Sequence, residues 1–169
     1  MSEGSEPTAA QDVTRYHGKA FIVLRVVDGD TLHIDAPDNG TSVTKVRLLG
    51  IDAPELGRMG ESPTHFAREA TDDARQRAEG LEVTVYLDET GCTRGKYGRL
   101  LAYVELPDGQ FLNELLVSEG YAYADPRFPH SYLHRYQQLE GSARALKKGL
   151  WAEVTPEDMP SWRQLSRDR

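Results

Sequence analysis

Apolar and polar positions alternate in short runs through the first two thirds of the chain, and change to a four-residue spacing in two places. Lys19 to Val27 is rich in β-branched and apolar residues and predicts a first strand. Asp28-Gly29-Asp30 reads as a tight turn, with the glycine supplying a positive φ. Thr31 to Ile34 then forms the second arm of a hairpin, and after Pro37-Asp38-Asn39-Gly40 a third strand runs from Ser42 to Gly50. Ser62-Pro63 has the chemistry of an N-cap and a first-turn proline. Phe66, Ala70, Ala74 and Ala78 follow at helical spacing and predict a helix ending near Gly80. Leu81 to Leu87 and Arg99 to Leu106 are the fourth and fifth strands, separated by a polar loop. Leu112 to Ser118 is a short helix stopped by Gly120. A third helix starts at Ser131, with Tyr132, Tyr136, Leu139, Ala143 and Leu146 on one face, and ends at Gly149. Gly141 within it costs about 1 kcal/mol relative to alanine and invites a bend.

This order is α+β. Five short strands with three helices suggest a small β-barrel, of which the five-stranded oligonucleotide-binding barrel is one solution. The first 17 residues are polar and acidic and are expected to be disordered. The domain is expected to span residues 18–152, with a frayed polar tail over 153–169.

Length and composition narrow this picture. At 169 residues, with 38% hydrophobic and 28% charged content, the chain can bury a substantial core. No apolar run is long enough to span a membrane, so no membrane partner is expected. Met1 to Pro7 has neither the basic nor the apolar region of a signal peptide, which leaves both secretion and the cytoplasm open. A single cysteine, Cys92, rules out an internal disulfide. A net charge of -7 argues against a broad nucleic-acid-binding surface, though not against a small phosphate site.

The chemistry concentrates where the third strand ends. In Val46-Arg-Leu-Leu-Gly-Ile-Asp-Ala-Pro-Glu55, Pro54 cannot donate to a ladder, so the chain must leave the sheet near Asp52. Arg47, Asp52 and Glu55 gather at that exit. A carboxylate binds a hard cation, a guanidinium clamps a phosphate, and a second carboxylate deprotonates or holds a water. Taken alone, the segment reads equally well as an edge strand with solvated charges. Asp28-Gly29-Asp30 alone is an ordinary turn, but its strand neighbours that of Asp52, and two adjacent carboxylates repel unless a cation joins them. Lys96-Tyr97-Gly98-Arg99 adds a stacking ring and a guanidinium at the start of a strand.

Together, Val-Asp-Gly-Asp-Thr at 27–31, Arg-x4-Asp-x-Pro-Glu at 47–55 and Lys-Tyr-Gly-Arg-x-Leu-Ala-Tyr at 96–103 resemble the thermonuclease family. These are the staphylococcal-nuclease-like nucleases, and Asn113-Glu-x-Leu-Val and Gly149-Leu-Trp also fit them. The resemblance covers residues 18–152. It implies a five-stranded oligonucleotide-binding barrel with three helices. It implies Ca²⁺-dependent cleavage of single-stranded or locally unpaired DNA and RNA by a monomer, leaving 3′-phosphate ends. Asp30, Asp52 and the Ala53 carbonyl would hold the cation, with Asp28 behind them. Glu55 would act as general base, and Arg47 and Arg99 would hold the phosphate. Lys96 and Tyr97 would flank the nucleotide. The loop over 121–130 departs from the family, leaving Tyr123 and Phe128 as stacking candidates that equally suit packing. Residue 53 is alanine where threonine is common, and Gly95 replaces an acidic residue found in some members.

The competing signals are smaller. His130 and His134 have the spacing of zinc ligands but lack a third. Lys147-Lys148 suits the end of a helix. A non-catalytic barrel that binds nucleic acid or protein is the alternative from another functional class. It would have no need for Glu55.

Overall fold

A computed structural model describes residues 5–165. Five of its strands close a barrel: β1 (Lys19–Asp28), β2 (Thr31–Ile34), β3 (Thr44–Leu48), β5 (Glu82–Tyr86) and β6 (Leu100–Glu105). Around the barrel the order is β1-β2-β3-β6-β5, with β5 returning to β1. All pairs are antiparallel except β3 with β6. Closure removes the open edges that so small a sheet would otherwise expose. β1 manages this by length. Lys19–Ile22 pairs with β5 and Val23–Asp28 with β2, with register shifts in the second half that increase its twist. Val23, Val26, Leu32, Ile34, Val46, Leu48, Val83, Val85 and Leu100 form the barrel's interior. A short antiparallel pair stands beside it, β4 (Ile51–Asp52) with β7 (Tyr123–Ala124).

Three long helices pack outside. α2 (Ala67–Ala78) buries Ala67, Ala70, Ala74 and Ala78, and these small side chains let it lie close on β1. It begins four residues after Pro63. The backbone and hydroxyl of Thr64 both donate to the Glu55 carbonyl and hold 55–64 as a closed loop, and Phe66 takes φ 68° before the first turn. Ser62-Pro63 is therefore loop, not cap. α3 (Leu112–Ser118) is tied inward by the fully buried Asn113. Its amide donates to the carbonyls of Leu49 and Ala102 and accepts from the Val104 N–H. α4 (Leu133–Ala145) runs without a break through Gly141.

Both ends depart from expectation. Within the stretch expected to be disordered, Ala9–Tyr16 forms helix α1, capped by Thr8 and Gln11 in a capping box. Residues 1–4 and 166–169 lie outside the described residues. α1 is held by a fork on each side of Arg94. Its Nε and Nη2 donate to Asp12 at 2.9 and 2.6 Å, and its Nη1 donates to Asp38 at 2.7 Å. Asp12 is fully buried and takes a further bond from the Thr93 hydroxyl. The Tyr16 ring is buried too, beneath the same guanidinium. A polar, acidic composition therefore concealed an ordered element, because its carboxylate is matched across the fold. Beyond residue 152, a 3-10 turn (Pro156–Asp158) leads into a short helix α5 (Ser161–Leu165) that packs back on the molecule.

Arg94 also donates to the Gly98 carbonyl, so the same side chain fixes the loop that carries Lys96 and Tyr97. Removing it leaves two buried carboxylates without their partner. Arg94→Ala is expected to cost about 3–5 kcal/mol in urea unfolding, the usual result of breaking a buried pair. A loss below about 1 kcal/mol would show that α1 docks by its apolar face alone.

Candidate active site

Asp28 and Thr31 pair across a two-residue turn, and the Asp28 carboxylate accepts the Asp30 N–H at 3.1 Å. Gly29 between them is required by space rather than by φ. A Cβ there would lie 2.6 Å from the Ala53 Cβ and 3.2 Å from the Ala70 Cβ. The turn thus sits directly on Ala53 and α2, which brings Asp30 to the strand exit. Asp30 Oδ2 accepts the Ala53 N–H at 2.7 Å, and Oδ1 accepts the Thr31 hydroxyl.

Gly50, at φ 81°, swings the chain from β3 into β4, where Asp52 pairs with Tyr123. Arg47 turns back across this corner. Its Nη1 donates to the carbonyls of Leu48 and Ile51 at 2.9 and 2.7 Å. Its Nη2 lies 3.3 Å from Asp30 and 3.2 Å from Asp52. The two carboxylates predicted to converge therefore meet at one guanidinium nitrogen. Arg99 reaches the same cluster from the foot of β6, where its Nη1 donates to the Thr31 hydroxyl at 3.3 Å. Glu55 is exposed just past Pro54, and among the described residues nothing bonds to its carboxylate. Lys96 and Tyr97 are exposed on the preceding turn, with the Lys96 ammonium over the Tyr97 ring.

The electrostatics are those of crowded acids. Burial and the neighbouring Asp30 push the Asp28 carboxyl well above its ordinary range. Burial, and then Asp30, raise Asp52 to about 6, despite the opposing pull of Arg47, the Trp162 N–H and Arg127. Such a donor set suits a hard divalent cation. Its side-chain donors are oxygens, two carboxylates converge, and the Ala53 carbonyl accepts no hydrogen bond among the described residues. Among those residues no three His, Cys, Asp or Glu side chains gather as metal ligands, so backbone oxygen and water would complete the shell. Among the described residues His130 and His134 belong to no such group either. His130 is buried against Tyr103 and Gly50, and His134 is exposed.

Several contacts were not legible beforehand. The Trp162 indole N–H donates to Asp52 Oδ2 at 2.8 Å, bringing the C-terminal helix into the site. Arg127 lies 3.4 Å from the same oxygen, forks onto Asp125, and sits over the Trp162 ring. Arg163 forks onto the buried Glu140, which also accepts the Ala124 N–H. A lone tryptophan in a polar tail carries no periodic signal, so only the tertiary contact reveals it. Tyr123 lies beneath the site with its ring buried edge-on against Trp151, the position of a packing residue rather than an open stacking face. Phe128 is partly exposed in the loop that follows.

Residues 45–153 match the family model described as Staphylococcal nuclease homologue. The chain is 30% identical to a thermonuclease of Staphylococcus hyicus over 88% of its own length and 85% of the relative's. It is 34% identical to an uncharacterized endonuclease of Escherichia coli O157:H7, covering 94% of this chain and 88% of that one. It is 31% identical to a micrococcal nuclease of Shigella flexneri, over 86% and 81%.

Asp52 binds its proton more tightly in the fold than in the unfolded chain, where its pKa is about 3.9. In chelator, its contribution to stability is therefore present below about pH 4 and is lost as pH rises through about 6. Asp52→Asn removes that loss. The Tm of this variant minus that of the wild type should increase between pH 4 and 7. A difference that stays flat across this range would contradict the crowding described above.

Proposed function

This chain belongs to the staphylococcal nuclease homologue family, a family of nucleases, and on that premise we propose that it is a Ca²⁺-dependent phosphodiesterase acting on single-stranded or locally unpaired DNA and RNA. The single observation that carries this reading is the meeting of Asp30 and Asp52 at one nitrogen of Arg47, with Glu55 unbonded beside them. A non-catalytic barrel would have no use for two carboxylates converging on one guanidinium beside an exposed third.

Asp30, Asp52 and the Ala53 carbonyl would hold the cation, with Asp28 behind them. Once bound, Ca²⁺ supplies positive charge opposite the phosphate and a means of orienting it. Glu55 takes a proton from a water as its oxygen attacks phosphorus. Negative charge then grows on the equatorial oxygens, where the Arg47 and Arg99 guanidiniums stabilise it more than they stabilise the ground state. The bond to the 5′ oxygen breaks, that oxygen takes a proton from solvent, and the phosphate stays on the 3′ side. In the free protein Arg47 spends Nη1 on two carbonyls, so its Nη2 is the nitrogen that turns toward substrate. Arg99, bonded only to a hydroxyl, is freer to move. Lys96 and Tyr97 flank the nucleotide on the Arg99 side.

Glu55→Gln is expected to lower turnover by about 10²–10⁴-fold, the usual worth of a positioned acid–base group. Its Tm should stay near wild type, since the side chain is exposed and, among the described residues, unbonded. Release of acid-soluble nucleotides is the assay, and near-normal turnover would overturn the role.

In the same assay, chelator should abolish activity and Mg²⁺ should restore it poorly, because Mg²⁺ requires tighter octahedral geometry and sheds its waters reluctantly. Equal rates with the two ions would reject the Ca²⁺ assignment.

A further inference from the structure

A cleft of about 530 Å³ opens beside Asp52 and Glu55, and neither Arg99 nor Tyr97 is among its lining residues. One wall is Asp52, Pro54 and Glu55 with His65 behind them, and the other is the C-terminal segment, through Pro160 and Trp162. Its volume is in the range of small-molecule sites. A series of contacts fixes its position relative to the cluster. Arg99 touches Thr31, Thr31 touches Asp30, Arg47 joins Asp30 to Asp52, and Asp52 accepts from Trp162. Arg99 thus enters this series at the Asp30 end and Trp162 at the Asp52 end. A phosphodiester held at the two carboxylates would then place the nucleotide on its Asp52 side at the mouth of this cleft.

We propose that the cleft is a nucleotide subsite built by the C-terminal segment, in which the base of the nucleotide on that flank packs against Trp162 beside the Arg127 guanidinium. The proposal rests on the phosphodiesterase reading above. The chemistry suits a base. Trp162 is only partly buried and lines the cleft, and its ring is flanked by the guanidiniums of Arg127 and Arg163. Arg127 sits 5.0 Å from the ring centroid, on a side chain 44% exposed, and guanidiniums stack on bases as well as on indoles. Pro54, Pro63 and Pro160 add flat apolar surface.

The wall is also fixed in place. Arg163, next to Trp162, makes two bonds of 2.6 and 2.8 Å to the buried Glu140 and lies over the rings of Tyr123 and Trp151. The indole N–H is a neutral donor, so it orients Asp52 without cancelling the charge that a cation needs. The segment thus reads as part of the site rather than as a plug poised to leave it. Trp162 and Arg163 each bond a buried carboxylate, and the cleft between the segment and Glu55 stays open.

The test uses the full chain carrying Glu55→Gln, with Ca²⁺ saturating, and dinucleotides with one internal phosphodiester. Three ligands are compared: both bases present, the 5′ base removed, and the 3′ base removed. One base–aromatic stack is expected to be worth about tenfold in affinity. Removing the base on the Trp162 flank should weaken binding by that factor and abolish a quench of tryptophan emission. Adding Trp162→Ala should reduce that penalty to below about twofold and leave the penalty on the other flank unchanged. Adding Trp162→Phe, which keeps a ring but loses the N–H, should preserve both penalties whatever it does to Asp52. The subsite is overturned if Trp162→Ala leaves both penalties intact, alters both equally, or if neither base matters to begin with. Binding is read apart from turnover. A base preference without cleavage by the Glu55-containing chain would therefore sink the phosphodiesterase reading alone, and cleavage without a base preference would sink the subsite alone.

Discussion

Asp30 and Asp52 are held within 3.3 Å of a single guanidinium nitrogen, and much of the fold serves to keep them there. Two carboxylates drawn to one nitrogen push each other apart in a medium of low dielectric. The barrel resists through rigid parts. Asp30 sits on a hairpin turn pressed so closely onto Ala53 that only glycine fits beneath it. Asp52 sits on a two-residue strand anchored to Tyr123. Arg47 pins the corner by its other nitrogen to two carbonyls. Burial, and then the neighbouring Asp30, raise the Asp52 carboxyl despite the opposing guanidinium. A fold that keeps such an arrangement sacrifices stability for an electrostatic demand that only a bound cation satisfies fully.

The barrel was legible because each strand is short, strongly patterned and closed by a turn of recognisable chemistry. The site was legible because its residues fall at strand ends, where spacing along the chain becomes spacing in the fold. Arg47, Asp52 and Glu55 lie on one such exit, and Asp30 and Arg99 on its neighbours in the sheet. Three things were not legible, for different reasons. Helix α1 lies in a stretch whose composition predicts disorder, because its one buried carboxylate is matched by an arginine 82 positions away. The start of α2 was set by the Thr64–Glu55 bonds, which outweighed good capping chemistry at Ser62-Pro63. Trp162 meets Asp52 across 110 positions, a pairing that no local pattern records.

These long-range contacts share a logic. The first and last described helices are tied down by arginine forks onto buried carboxylates, Arg94 on Asp12 of α1 and Arg163 of α5 on Glu140. Arginine suits this work because its fork is planar and stays charged, so little order is lost per bond formed. Each fork also stands one step from the proposed chemistry. Arg94 bonds the Gly98 carbonyl and so sets the turn of Lys96, Tyr97 and Arg99. Arg163 sets Trp162 against Asp52. Helices α1 and α5 are therefore each linked through one arginine to residues of the candidate site.

The remaining difficulty is charge, since a chain of net -7 is assigned a polyanionic substrate. Salt resolves part of it, because exposed charges beyond about 8–10 Å of a phosphate are screened from it. What matters is the local balance. Around the cluster stand the carboxylates of Asp28, Asp30, Asp52, Glu55 and Asp125, against Arg47, Arg99, Arg127 and Lys96. That set is one charge short of neutral when all are ionised, and its most central cation is already shared between two acids. A divalent ion held at Asp30 and Asp52 would reverse the sign of the site and release Arg47 from part of its pairing. The acids that repel a phosphate in the free protein would then become the means of attracting one. Binding of substrate would follow binding of the ion for reasons of charge alone, before any catalytic role of the ion is invoked.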